Sequence, residues 1–256
     1  MRLIELTMPL RHQSMPDEVL PTAVQFFLAP KDHQEKGIVI GSETGTCLVL
    51  PSAFAEFRTT ARIDQLAPEN LMLRPVTVVT LRKGPKQEIR VEDMQAVLDS
   101  VQPARADAVL IRTGWGDFPY DGGGDGYLLD SPHFSLEGAR YLAARMQENA
   151  NDLLLLDTAI VGRPGKHLIP EWCAMIPRPA AESGEARMYL HLYGNDKMKA
   201  DFAVEMEFAR RGIMTVRKLV HCGGISRRRV KVIVSPLQIV RGVSSTCRVV
   251  VLEDAP

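Results

Sequence analysis

Short runs of apolar and β-branched residues recur along the chain, and each one predicts a buried strand. These runs cover 37–40, 46–50, 76–81, 108–112, 153–157, 230–234 and 247–252. Other segments place apolar residues at helical spacing, which predicts helices over 91–100, from Ser135 onward and over 203–211. Ser135 suits the N-cap of its helix, and Gly212 suits the stop of the last helix. Strands that alternate with helices indicate an α/β layered domain.

The segment 163–199 interrupts this alternation, because it contains Pro and Gly throughout. Loops of this length rarely lack a function. We therefore expect a divergent excursion or an oligomer contact, within a single domain that spans 1–256.

Composition and charge argue against several classes of protein. The 256 residues include 31 Lys and Arg against 31 Asp and Glu, so the net charge is zero. A nucleic-acid-binding protein needs a basic face, and none is expected here. No run of about 18 apolar residues is present, which predicts no membrane span. The four cysteines form no Cys-x-x-Cys pair and no signal-type run opens the chain, which is typical of a cytoplasmic protein.

The segment 43–54 carries the most informative motif. Its sequence is ETGTCLVLPSAF, in which Thr-Gly-Thr is followed by Pro and Phe. Further motifs follow in order: RTGW at 112–115, PHFS at 132–135, LLDT at 155–158, GIMTVRKL at 212–219 and SPLQI at 235–239. This ordered set resembles the cyclase family, whose best-known members are bacterial kynurenine formamidases.

The resemblance implies a fold and a kind of site. The fold is α/β, with a central barrel-like mixed β-sheet and helices packed outside. Its members usually form homodimers or homotetramers and act on small molecules. In that family the frame is His-x-Gly-Thr-His-x-Asp-x-Pro-x-His, where three side chains bind a divalent metal and the last His serves acid–base chemistry.

Here the frame persists while its metal-binding side chains are replaced. Glu43 and Cys47 stand at the two leading His positions. Val49 stands at the Asp position and Ala53 at the final His position. Because Val and Ala can neither coordinate a cation nor move a proton, we expect no metal and no cofactor.

A second departure lies near the C-terminus. Arg217 stands where the family has a metal-binding Glu, and Glu205 matches a helical His of the family. We expect Arg217 to form a buried ion pair with Glu43 or Glu205 in place of the metal, since a guanidinium is always charged. The alternatives are that one of these side chains points to solvent, or that Glu43, Cys47 and Glu205 keep a residual metal site. His167 or His191 can also approach this place.

Other residues complete the candidate site. Cys47 beside an arginine is a candidate nucleophilic thiolate, and its alternative is a small buried residue. Thr46, Trp115 and Tyr120 are candidate substrate-binding residues, although aromatic residues at this turn are more often part of the core.

The leading functional hypothesis is a metal-independent enzyme of secondary metabolism that acts on a small carbonyl-containing molecule. Its reaction is an acid–base cyclisation, an elimination as in a lyase, or an amide or lactone hydrolysis. Arg217 then stabilises an oxyanion, and Glu43 or Glu205 moves the proton. The alternative is a non-catalytic relative that binds a small molecule or a partner protein in the same pocket.

Overall fold

The computed structural model describes residues 1–10, 24–27, 37–118, 126–162 and 202–254. The predicted excursion at 163–199 lies outside these ranges, and so do Tyr120, His167 and His191. No helix in the described ranges is long and apolar enough to cross a lipid bilayer.

Strands make up most of the regular structure in these ranges. They are β1 (Arg2–Glu5), β2 (Val24–Phe27), β3 (Gly37–Ile40), β4 (Cys47–Val49), β5 (Arg74–Thr80), β6 (Glu88–Ile89), β7 (Ala108–Arg112), β8 (His133–Phe134), β9 (Leu153–Leu156), β10 (Met214–Arg217), β11 (Arg229–Pro236) and β12 (Ser244–Glu253). The α-helices are α1 (Val91–Ser100), α2 (Gly126–Leu129), α3 (Leu136–Glu148) and α4 (Ala203–Ala209). A short 3-10 turn, Pro51–Ala53, directly follows the β4 region.

Seven strands close into a mixed β-barrel. Their order is β12-β11-β5-β7-β9-β10-β4, and β4 pairs back onto β12 to complete the ring. The run from β5 through β7 and β9 to β10 is parallel, whereas the remaining pairs are antiparallel. β1 pairs with the part of β12 that lies beyond β4. With helices packed outside, this is the barrel-like mixed sheet that the resemblance to the cyclase family implies.

Side chains alternate between the two faces of each strand, and this separates two hydrophobic layers. Leu48 of β4 and Val216 of β10 belong to the cluster that fills the barrel. A second cluster lies outside, between the strands and the helices α1, α3 and α4. β9 is apolar and buried at all four positions because both of its faces are covered. Since neighbouring residues on a strand face opposite sides, Cys47 and Arg217 lie on the outer side of the barrel wall.

The hydrophobic pattern locates most elements to within a few residues. The predicted helix 91–100 matches α1 from end to end. Ser135 caps α3, where its Oγ accepts a hydrogen bond from the Gly138 N–H at 3.0 Å. Gly212 has a φ of +72° just beyond α4, in the left-handed region that glycine favours. The pattern misses β1 and β10, because polar residues interrupt the apolar ones in these two short strands.

Gly138→Ala tests the packing of α3 on β6. Replacing Gly by Ala inside a helix normally stabilises a protein by about 0.5–1 kcal/mol. A Cβ at Gly138, however, would lie 2.4 Å from the carbonyl oxygen of Ile89. We expect the free energy of unfolding, measured by urea denaturation, to fall by about 1–3 kcal/mol. Gln147→Ala on the exposed side of α3 is the control and should stay within about 0.5 kcal/mol; equal stability of both variants would contradict the close packing.

Candidate functional site

Two neighbouring strands bring the first site residues together. β4 and β10 run antiparallel, and their register sets Arg217 opposite Cys47. Glu43 lies in the turn that leads into β4. On this outer side of the barrel, α4 packs against β10 and against the turn Pro51–Ala53. The site residues therefore lie between the barrel wall and α4.

Arg217 and Glu43 form the ion pair at the centre of this site. Nη2 of Arg217 donates a hydrogen bond to Oε2 of Glu43. The Arg217 side chain is only 13% exposed, whereas that of Glu43 is 36% exposed. Burial opposes the charge of Arg217, but the nearby Glu43, Cys47 and Glu205 raise its pKa above the ordinary value. The guanidinium is therefore a permanent buried cation.

Glu205 of α4 lies close enough to Arg217 for their charges to interact. Its Oε1 accepts a hydrogen bond from the Gly162 N–H at 3.4 Å. In the part of the chain that the structure describes, its buried Oε2 has no hydrogen-bond partner, and neither does the buried Nε of Arg217. Burial raises the pKa of Glu205 above its ordinary value, and the charge of Arg217 offsets this effect only in part. Such a carboxyl group can hold a proton at a higher pH than a surface glutamate, as a general acid–base group must.

Gly162 allows Glu205 to take this position. A Cβ at Gly162 would lie 3.2 Å from Oε2 of Glu205 and 3.0 Å from Cβ of Val204. Only glycine permits α4 to approach this closely without displacing one of those groups.

An apolar cluster occupies the other half of the site. It consists of Cys47, Val49 and Ala53, with Phe54 packed against them. The Phe54 ring meets the ring of Phe202 edge-on, with centroids 6.2 Å apart. Three of the positions that the resemblance associates with metal binding or acid–base chemistry thus form a hydrophobic wall.

The environment of Cys47 does not favour a thiolate. Cys47 is completely buried, and this burial raises the pKa of its thiol despite the opposing charges of Lys218 and Arg217. Arg217 lowers the pKa of this thiol as expected, but the predicted thiolate does not follow, because desolvation of the charged form outweighs the two cations. In the structure, Cys47 is a small buried residue, as the alternative interpretation of the sequence predicts.

Lys218 is a site residue that sequence reasoning missed. Its backbone has a left-handed φ of +62°, and its Nζ donates a hydrogen bond to the carbonyl oxygen of Glu43 at 2.7 Å. This contact fixes the turn that carries Glu43. The signal was available, since Lys218 directly follows Arg217 in the GIMTVRKL motif and adds a second cation.

Trp115 lies in the core rather than on an open pocket wall. It is 2% exposed, and its ring stacks on Phe118 with centroids 4.4 Å apart. Its Nε1 donates a hydrogen bond to the carbonyl oxygen of Tyr127 at 3.1 Å. The structure therefore gives Trp115 a packing role, while Tyr120 lies outside the described residues.

Thr46 is likewise fully buried. Its Oγ1 donates a hydrogen bond to the carbonyl oxygen of Lys218 at 2.7 Å and accepts one from the Met8 N–H at 2.8 Å. Both contacts tie backbone segments together. Thr46 thus supports the site from inside instead of facing a substrate, which differs from its predicted role.

The residues present do not fit a divalent metal. Within the described ranges, no three His, Cys, Asp or Glu side chains form a group able to hold such an ion. Val49 and Ala53 offer no donor atoms, and Arg217 already engages the carboxylate of Glu43. A metal ion here would lie beside a buried guanidinium of like charge, which is strongly unfavourable.

Comparisons with known proteins agree with the fold. Residues 4–158 match the Cyclase family model. None of the curated proteins matches the chain. Among solved structures, isatin hydrolase A from Ralstonia solanacearum has a TM-score of 0.70 at 19% identity, over 99% of this chain and 92% of that one. A potential metal-dependent hydrolase with cyclase activity has a TM-score of 0.67 at 15% identity, over 100% of this chain and 99% of that one.

A third structure is isatin hydrolase A from Labrenzia aggregata bound to benzyl benzoate. Its TM-score is 0.67 at 21% identity, over 98% of this chain and 93% of that one. At these identities the likeness shows a shared fold.

Glu205→Gln tests the electrostatics of α4. Folding raises the pKa of the Glu205 carboxyl group. As the pH rises above the pKa of the unfolded state, the group therefore destabilises the folded state increasingly, and the effect levels off once the pH exceeds the pKa of the folded state. We expect the stability of Glu205→Gln relative to the wild type to increase as the pH rises above the ordinary glutamate pKa of about 4.3, in measurements that run from about pH 5 to about pH 8.5. Urea denaturation at each pH measures this difference.

Glu207 on the same helix provides a control of opposite sign. Burial opposes its charge, but hydrogen bonds from Arg211 and Arg140 lower its pKa below the ordinary value. Its contribution to stability is present above the unfolded pKa, so Glu207→Gln should destabilise the protein by the same amount at both ends of this range. A Glu205→Gln effect that is equally independent of pH would contradict the raised pKa.

Proposed function

Because the chain belongs to the Cyclase family, we propose that it is a divergent cyclase-family enzyme in which a fixed guanidinium replaces the metal. Its reaction is metal-independent acid–base chemistry on a small carbonyl-containing molecule. Cyclisation, elimination, and amide or lactone hydrolysis belong to this class. Each of them develops negative charge on a carbonyl oxygen, which a nearby cation stabilises.

The buried ion pair of Arg217 with Glu43 carries this proposal. It lies beside Glu205, at the point where the resemblance places a metal-binding glutamate. A guanidinium supplies a positive charge, as a metal does, but also directional N–H donors. Among the described residues, Nε of Arg217 has no hydrogen-bond partner, and we assign this donor to a substrate oxygen.

Hydrolysis illustrates how the two groups work together. Ionised Glu205 takes a proton from water while the water oxygen attacks the carbonyl carbon. The carbonyl electron pair moves onto its oxygen, where Nε of Arg217 donates a hydrogen bond to the oxyanion. When the C–N or C–O bond then breaks, Glu205 returns the proton to the leaving atom.

The apolar wall supports this chemistry. Cys47, Val49 and Ala53 contribute no hydrogen-bonding oxygen or nitrogen side-chain atoms beside the ion pair. Interactions between charges are stronger where apolar side chains exclude water. We therefore expect substrates with an apolar body and a single polar carbonyl group.

Metal analysis and chelation test this function directly. The purified protein is analysed for Zn and Mn, and ring opening of lactams and lactones is assayed, beginning with isatin because isatin hydrolases are among the structural neighbours. We expect metal well below one ion per chain and turnover that EDTA leaves unchanged. Stoichiometric metal together with activity lost to the chelator would overturn the proposal.

Variants at the ion pair separate catalysis from simple binding. Arg217→Met should lower kcat/KM by about 10²–10³-fold, as the loss of an oxyanion donor does. Glu43→Gln should lower it less, because the guanidinium itself remains. If both variants change ligand affinity but neither changes turnover of any substrate, the protein is the non-catalytic binding relative. Ala53 stands where the resemblance places an acid–base His. The loss of that group is the observation that favours this second function.

Arg217→Glu tests whether the guanidinium occupies the place of a metal ion. The variant replaces the buried positive charge by a carboxylate near Glu43, Cys47 and Glu205, and these groups suit Zn²⁺. We expect Zn²⁺ to raise the melting temperature of Arg217→Glu and to leave the wild type unchanged. Lys231→Glu, at an exposed position of β11, is the control; an equal Zn²⁺ response in it would contradict this interpretation.

A further inference from the structure

Glu43 lies in a β-turn next to two strands of the barrel. The turn spans residues 41–44, and the Thr44 N–H closes it with a hydrogen bond to the carbonyl oxygen of Gly41 at 3.1 Å. β4 follows this turn and lies between β10 and β12. Lys218, directly after β10, holds the turn on one side, because its Nζ donates a hydrogen bond to the carbonyl oxygen of Glu43. Contacts from β12 therefore hold the turn on the other side.

Thr246 of β12 makes the main contacts on that side. Its Oγ1 donates a hydrogen bond to the carbonyl oxygen of Gly41 at 3.2 Å and to that of Thr44 at 3.1 Å. A hydroxyl group has one proton, so the two carbonyl oxygens share it in a bifurcated hydrogen bond. Gly41 and Thr44 are the first and last residues of the turn that carries Glu43. A single side chain thus binds both ends of this turn.

The strand register brings Thr246 next to the candidate site. Thr246 pairs with Cys47, and Cys47 pairs with Arg217. Directly opposite residues of antiparallel strands share a face, so these three side chains form a row on the outer side of the barrel. Ser244 lies on the same face, two residues before Thr246, and its Oγ is 2.9 Å from Oγ of Ser42 in the turn. β12 therefore contacts the turn through two hydroxyl side chains.

The ion pair of the site depends on the position of this turn. The Glu43 side chain is 36% exposed, and a partly exposed ion pair contributes little when both partners first have to be ordered. A fixed turn orders the backbone of Glu43 in advance, so less conformational entropy is lost when its carboxylate meets Arg217. Arg217 cannot follow a displaced turn, because its backbone is paired in the barrel wall.

We propose that Thr246 is a positioning residue, whose hydroxyl group holds the β-turn 41–44 where the Glu43 carboxylate meets Arg217. Thr246 acts through Glu43. For catalysis the inference rests on the proposed function, whereas the effect of Thr246 on the ion pair can be measured without turnover.

A double-mutant cycle in stability tests this role. Thr246→Val keeps the β-branched shape and removes the hydroxyl group. In the wild-type background, Glu43→Gln should lower the equilibrium constant for folding about tenfold or more, because it removes the charge of a carboxylate bonded to a guanidinium. In the Thr246→Val background, the same substitution should lower it less than about threefold. Urea denaturation of the full chain measures all four proteins.

Thr60→Val is the matched control. Its hydroxyl group also donates a hydrogen bond to a backbone carbonyl, that of Phe57 at 2.7 Å, in an exposed turn that carries no candidate site residue. Glu43→Gln should keep its cost of about tenfold or more in the Thr60→Val background. Thr246→Ser retains the donor and should keep this cost as well. If Thr246→Val does not fold, Thr246→Ala provides the same comparison.

Activity gives a second cycle once a substrate is found. Thr246→Val should lower kcat/KM in the wild-type background by no more than Glu43→Gln does. In the Glu43→Gln background, it should change kcat/KM by less than about twofold, because the carboxylate that it positions is already absent. A residue that only stabilises the fold would produce independent effects in the two backgrounds.

Two results would overturn the positioning role: a cost of Glu43→Gln that is equal in the wild type and in Thr246→Val, or an equal reduction of that cost in Thr60→Val. Both concern stability, so the proposed function stands if they are found together with metal-free, chelator-insensitive turnover. Stoichiometric metal that turnover requires would instead overturn the proposed function, and the cycle in stability would still decide the role of Thr246 in the ion pair.

Discussion

A guanidinium that is mostly withdrawn from water needs negative charge close by, and this requirement organises the site around Arg217. Glu43 meets it through a direct ion pair, and Glu205 on α4 adds a second carboxyl group whose charge acts on Arg217. Unlike a metal ion, this cation is part of the chain and cannot dissociate. Its hydrogen bonds also have fixed directions, so the arrangement of its partners determines which ligand atoms it can reach.

The barrel makes this arrangement possible. β4 closes the ring by pairing with both β10 and β12, and the β4–β10 register puts Arg217 opposite Cys47. A shift of one residue would turn Arg217 into the hydrophobic interior, because side chains alternate between the two faces. The pairing that completes the barrel is therefore also the pairing that builds the site, and Thr46 strengthens it through hydrogen bonds to two backbone segments.

The apolar wall and the raised pKa of Glu205 have a common cause, which is the replacement of polar side chains in the site by apolar ones. Val49 and Ala53 remove polar atoms from positions where relatives are expected to bind metal or move protons. Burial beside such residues disfavours ionised carboxyl and thiol groups alike, which raises the pKa of Glu205 and also that of Cys47. The environment thus provides a proton-holding carboxyl group while it leaves the thiol unreactive.

The sequence by itself determined the α/β class and most strands and helices. It also showed that the motif at 43–54 is preserved while its metal-binding side chains are replaced. Periodicity and short motifs are local properties, so both can be read without a structure. The sequence also identified Arg217 as the unusual residue. Only the tertiary structure decided that Arg217 pairs with Glu43, which lies 174 residues away, and that Lys218 holds the turn of Glu43. It also placed Trp115 in the core. Ion pairing, burial and the pKa values that follow from them depend on distances between remote segments, and the order of residues along a chain does not contain those distances.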